Sequence, residues 1–157
     1  MCTSFMEEIL VGEHQLGTAT LISRTSLTAP TTDTLKAALY LTTATINAAT
    51  TVYTVTGEAS GTNYTAGGIT VTNATAPAYT NTSTTAGVAY WTPSASFTFT
   101  TVTLATAFDC VLLYNSTQSN KAISVHTFGS QTITAGSFSL TMPANTTSAA
   151  LIRLATT

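Results

Sequence analysis

Charge is what this sequence has least of. Asp, Glu, Lys and Arg make up 6% of 157 residues, with four cations, six acids and a net charge of −2, against roughly 25% charged residues in an ordinary globular domain. Four dispersed cations cannot form the basic stripe that neutralises a phosphate backbone, which excludes a nucleic-acid partner. Nor can they give a basic amphipathic helix for a membrane surface, and no run approaches the ~20 apolar residues that span a bilayer. Cysteine is scarce as well. Cys2 and Cys110 are too few and too far apart to set a disulfide framework, and read as two thiols with Cys110 inside a strand. The N-terminal stretch has no basic region, and Glu7 and Glu8 stand where a signal peptide would be apolar.

Catalytic types are equally thin. His14 and His126 are the two histidines. A triad drawn from Asp109, His126 and one of many serines has no specificity, because such sets can be drawn in any Ser-rich chain. Alternation puts His126 on a strand, beside Ser124 and Phe128, as an exposed or hydrogen-bonded side chain. His14, after Glu13, is at most half a metal site, with no HExxH or CxxC near it. Three of the six acids fall within the first 13 residues, which leaves little for a glycosidase carboxylate pair. Gly67–Gly68 in YTAGG lacks the Lys-Ser/Thr of a phosphate loop and reads as a turn. No enzymatic activity and no cofactor are expected.

In place of charge stands threonine, about a quarter of the chain. Its β-branched side chain suits a pleated sheet, and its hydroxyl keeps a surface wet without charge. Weak charge repulsion on the surface fits a protein that associates with copies or partners, or one whose Thr and Ser hydroxyls suffice for solubility. Five N-x-[ST] sequons, at Asn63, Asn73, Asn81, Asn115 and Asn145, are what chance gives in so Thr-rich a chain.

Short strand patterns recur from residue 34 onward: TLKAALYLT, TVYTVTG, GGITVTNA, VAYWTP, SFTFTTVTLA, DCVLLYN, AISVHTF, QTITAG, SFSLTMP and ALIRLA. Gly, Asn, Pro and Ser cluster between them. This predicts an all-β domain over residues 34–157, an antiparallel β-sandwich or jelly-roll-like barrel. In TLKAALYLT, Leu35, Ala37, Leu39 and Leu41 alternate with Lys36, Ala38 and Tyr40, as in a half-buried strand. Phe97 and Phe99 are core, on the face opposite Val102 and Leu104. In LLYN, Leu112 and Tyr114 face away from Leu113, and residues 115–120 turn the chain. Residues 74–87 are polar, of low complexity, and read as a long loop.

Residues 1–33 read as an N-terminal helix and extended arm. Ser4 and Glu7 have capping-box spacing, and Phe5 and Ile9, with Met6 and Leu10, form one apolar face over residues 4–11. Eight residues are not stable alone, so the face must dock on its own domain or on a neighbour. Residues 18–24, TATLISR, fit a strand or extended arm. The candidate interface is Phe5, Ile9, Leu10 and Tyr79, with Tyr90 and Trp91 as further aromatics that core packing explains equally well.

The segments SFMEEILVGEH, TLKAALY, TVTGEASGTNYTAGG and LLYNSTQSNKAISVHTFG resemble a family of tailed-bacteriophage structural proteins. The similarity spans nearly the whole chain and is most distinctive at YTAGG and at LLYN…NKA…FG. His126–Thr127 departs from it where the family pattern has an acid, and residues 14–33 fit loosely. The resemblance implies a virion protein assembled in the bacterial cytoplasm. A capsid cement or decoration protein, contacting the major capsid protein and self-associating, with a trimer as one form, agrees best with the residues. A tail or fibre component contacting the host surface is the alternative.

Overall fold

The computed structural model of the chain describes residues 1–10, 14, 16, 32–82 and 85–155, with only the backbone at Glu7, Leu10, 81, 82, 85 and 86. The arm predicted over 18–24 lies outside these residues. The order is helix α1 (Thr3–Leu10), then strands β1 (Leu35–Leu41), β2 (Ile69–Thr70), β3 (Ala78–Thr82), β4 (Thr85–Trp91), β5 (Phe97–Asn115), β6 (Lys121–Leu140) and β7 (Ile152–Ala155). They form two antiparallel sheets, β2-β1-β5-β6 and β3-β4-β7. The all-β expectation holds. Among the described residues neither sheet closes on itself, so the barrel alternative is not what forms. Trp91 and Ile152 of the small sheet belong to the same buried cluster as the large sheet's core.

β1 is central, between β2 and β5, and it departs from simple alternation. Ala38 and Tyr40 are as fully buried as Leu39. The second face is covered by residues 51–68, which the sequence suggested would begin with a strand. Instead of a strand the segment makes single contacts: Ala59 N–H donates to Leu39 O, Leu41 N–H donates to Gly57 O, and three isolated bridges form, Val52 to Lys121, Tyr40 to Glu58 and Thr62 to Thr103. The same covering layer buries Leu112, Leu113 and Tyr114 alike, so LLY has no wet face.

Five sequence strands fuse into two. β5 and β6 are a single hairpin of 19 and 20 residues, with five register shifts along it. Bulges let so long a ribbon bend. The bend is visible in Phe138, whose ring lies 6.3 Å from Phe99 and 5.3 Å from Phe108, nine residues apart on β5. It also corrects the facing of β5. Thr101 adopts φ 55° at the shift between Phe99 and Val102. One extra residue reverses the alternation, so Val102 and Leu104 join Phe97 and Phe99 in the core. Residues 74–87 are likewise not one loop: they hold β3 and the start of β4, paired Ala78 to Tyr90 and Tyr79 to Ala89. Composition misled there, because Thr and Ala serve a strand as readily as a loop.

Candidate docking surface and its polar supports

α1 begins one residue before the expected start, at Thr3, whose N–H and hydroxyl both donate to Ala48 O. The capping box does not form: Ser4 Oγ is buried with no hydrogen-bond partner. Phe5 is fully buried and packs edge-on against the His14 ring at 4.8 Å. The helix therefore docks on its own domain, and Phe5 leaves the candidate surface because it has no surface to offer. Ile9 is only partly buried. Leu10's side chain lies outside the described residues.

Glu8 anchors the helix from its polar side. It is 6% exposed, 2.7 Å from His14 Nε2 and 3.2 Å from Lys121 Nζ. Asn115 fixes the proton on His14. Its Oδ1 accepts the N–H groups of Thr117 and Gln118, so its Nδ2 must face outward as a donor. Nδ2 donates to His14 Nδ1 at 3.0 Å and to Asp33 Oδ2 at 2.6 Å. With Nδ1 accepting, Nε2 carries the hydrogen and donates to Glu8. The polar turn in LLYNSTQSNKA is thus the dock for the N-terminal segment. No local pattern signals this, since the partners lie 101 and 113 residues apart.

A second buried carboxylate, Glu58, explains YTAGG. Glu58 is 7% exposed and accepts from Tyr53 and Tyr64 hydroxyls and from Gly67 N–H, at 2.6, 2.8 and 2.8 Å. Tyr64 also accepts Leu39 N–H, and Tyr114 donates to Gly67 O. Burial, with the nearby Glu58 charge, pushes the Tyr114 hydroxyl up to about 12 and raises Tyr53 and Tyr64 further. Gly68 sits at φ 70°, where a Cβ would lie 1.8 Å from Ala37 O. Only glycine allows that approach.

His126 bonds Ser124 Oγ through Nε2 at 2.8 Å, as its place on the strand suggested. Burial, and then the N-terminal ammonium, lowers its pKa to about 4. Ser124 is 1% exposed. Among the described residues no carboxylate hydrogen-bonds His126, and no group of three His, Cys, Asp or Glu could hold a metal. Cys2 and Cys110 are free and buried, and burial raises the Cys110 thiol to about 11. Trp91 is core, with its indole N–H on Thr75 O. No described helix is long and apolar enough to cross a membrane.

What reaches the surface is an apolar row across the small sheet. Tyr79 pairs with Ala89 and Ala89 with Leu154, so the three share one face, and Tyr79 and Leu154 are 76% and 39% exposed. The row runs into an open groove of about 280 Å³ between this sheet and the N-terminal segment, lined by Ile9, Leu16, Pro77, Ala89, Tyr90 and Leu154 among others. Two of the four predicted interface residues, Ile9 and Tyr79, thus belong to one continuous region. The arrangement can hold an apolar partner surface. Comparison of the chain with protein-family models, with curated proteins and with solved structures finds no match.

Proposed function

We propose that the chain is a structural component of a tailed-phage particle, a capsid cement or decoration protein that binds the major capsid protein across subunit boundaries and associates with its own copies. The observation that carries this reading is the Tyr79–Ala89–Leu154 row beside the Ile9 groove, apolar surface on a domain with almost no charge. Apolar surface of this kind marks association sites, and many modest contacts repeated by symmetry suffice for a shell. The burial of Ser124 and the neutral His126 support a role without catalysis. The resemblance at YTAGG and LLYN…NKA…FG supports the phage assignment.

The test is to image purified particles by electron microscopy and count copies of the chain. Density for the domain over the head lattice, in numbers matching capsid subunits, is expected. Absence from particles, or a few copies at the tail alone, would sink the cement reading. The exposed Tyr79 keeps one alternative in play, a tail or fibre protein that stacks on host glycans. In that case Tyr79→Ala would abolish binding of the purified protein to host cells.

A further inference from the structure

α1 fills a site that the domain cannot leave open. Undocking it would uncover Cys2 and Phe5, both at 0% exposure, would break the Cys2 N–H bond to Ile123 O, and would take Glu8 from Lys121. The bonds holding it all run to distant parts of the chain: Cys2 N–H to Ile123 O, Thr3 to Ala48, His14 to Asn115, Glu8 to Lys121. None of these contacts requires the helix and its dock to belong to the same copy.

The connection permits either. His14 and Asp33 accept from the same atom, Asn115 Nδ2, so the intervening chain leaves and returns at one point. Residues 15–32, fully extended at about 3.3 Å each, would reach about 60 Å. A domain of this size is about 40 Å across. The tether is therefore long enough to deliver the helix to an adjacent copy. A tether of that length holds its helix near its own dock at an effective concentration on the order of millimolar. Copies gathered on one surface meet that concentration, and a net charge of −2 opposes their approach only weakly.

We propose that α1 exchanges between copies, docking its Phe5–Glu8 face in the Ala48–Asn115–Ile123 site of a second copy of this chain when copies are concentrated. This rests on the assembly reading and names the bond between subunits. An exchanged helix keeps every contact it makes in the closed form, so exchange adds association at almost no cost in contacts.

The Glu8–Lys121 pair supplies the probe, because a carbodiimide joins a carboxylate and an amine in contact. Light and ¹⁵N-labelled full-length chains are unfolded together, refolded, concentrated to millimolar and treated. Glu8–Lys121 linked peptides carrying one light and one heavy half are expected, approaching half of all such links at full exchange, with covalent dimers and larger species. Lys121→Arg should remove them. Links confined to same-isotope halves overturn the proposal. So does a monomeric mass by light scattering at every concentration up to several millimolar, whether or not a link forms. Either failure leaves the cement reading to the particle images, which test it separately.

Discussion

Glu8 and Glu58 are buried almost equally, at 6% and 7%, yet they are held in opposite ways. Glu58 is surrounded by neutral donors drawn from residues 53–67, two phenols and an amide, inside the layer over β1. Glu8 relies on a cation and an imidazole that reach across the chain. The first arrangement is a local clamp, whose donors fold together and carry no charge of their own. The second is a long-range latch, sensitive to salt and confined to one removable segment. A buried carboxylate can therefore mark either the firmest or the most releasable part of one domain, and its partners decide which.

That contrast can be broken at the clamp first. Gly68→Ala puts a methyl into Ala37 O at a left-handed φ, and should cost at least about 3 kcal/mol or yield no folded protein, read by circular dichroism and urea unfolding. Glu58→Gln leaves an amide N–H₂ among three donors and should lose about 2–3 kcal/mol of global stability. A Glu58→Gln protein as stable as the parent would show that the clamp contributes nothing. Alkali probes the same cluster without mutation. The folded state holds Tyr40, Tyr53, Tyr64 and Tyr114 protonated above the usual value of 10. Stability should be intact below about pH 10 and fall as pH rises through 12, because the unfolded chain releases those protons first. Phenolate absorbance should rise together with unfolding.

The latch should give smaller effects. Glu8→Gln is expected to cost about 1–2 kcal/mol, and the loss should appear as faster hydrogen exchange in residues 3–10 while β1 and β5 stay protected. The same loss spread evenly over the domain would make the latch another clamp. His126 gives the smallest effect. Its folded pKa, about 4 against 6.5, means the unfolded state binds more protons between those values. Its contribution is complete above about pH 6.5 and is lost as pH falls toward 4, on the order of 1 kcal/mol for a partly exposed group. The urea midpoint of His126→Gln should show a flatter pH dependence than the parent over that window.

Of the clamp only its Gly67–Gly68 turn was legible in the sequence, and of the latch almost nothing. YTAGG was a readable turn, Phe97 and Phe99 readable core, and the alternation of β1 readable strand. The second faces of β1 and LLY were not, because alternation reports one buried face and says nothing of a loop laid over the other. Val102 and Leu104 were misplaced because the bulge at Thr101 leaves no pattern that composition alone reveals. Within the candidate surface, Ile9 is legible as part of the apolar face of a short helix and Tyr79 as an aromatic in a polar segment. Phe5 shares the helical face with Ile9 and is interior.

Composition and periodicity by themselves determined the class: a Thr-rich, charge-poor chain with apolar residues at period two becomes antiparallel sheet, since β-branched side chains favour the pleat and short turns favour adjacent pairing. Only the tertiary structure decided where the hairpin bends, which carboxylate clamps and which latches, and which apolar residues stay wet. Those depend on contacts between residues up to 113 positions apart, and no local pattern encodes which distant surface will cover a side chain.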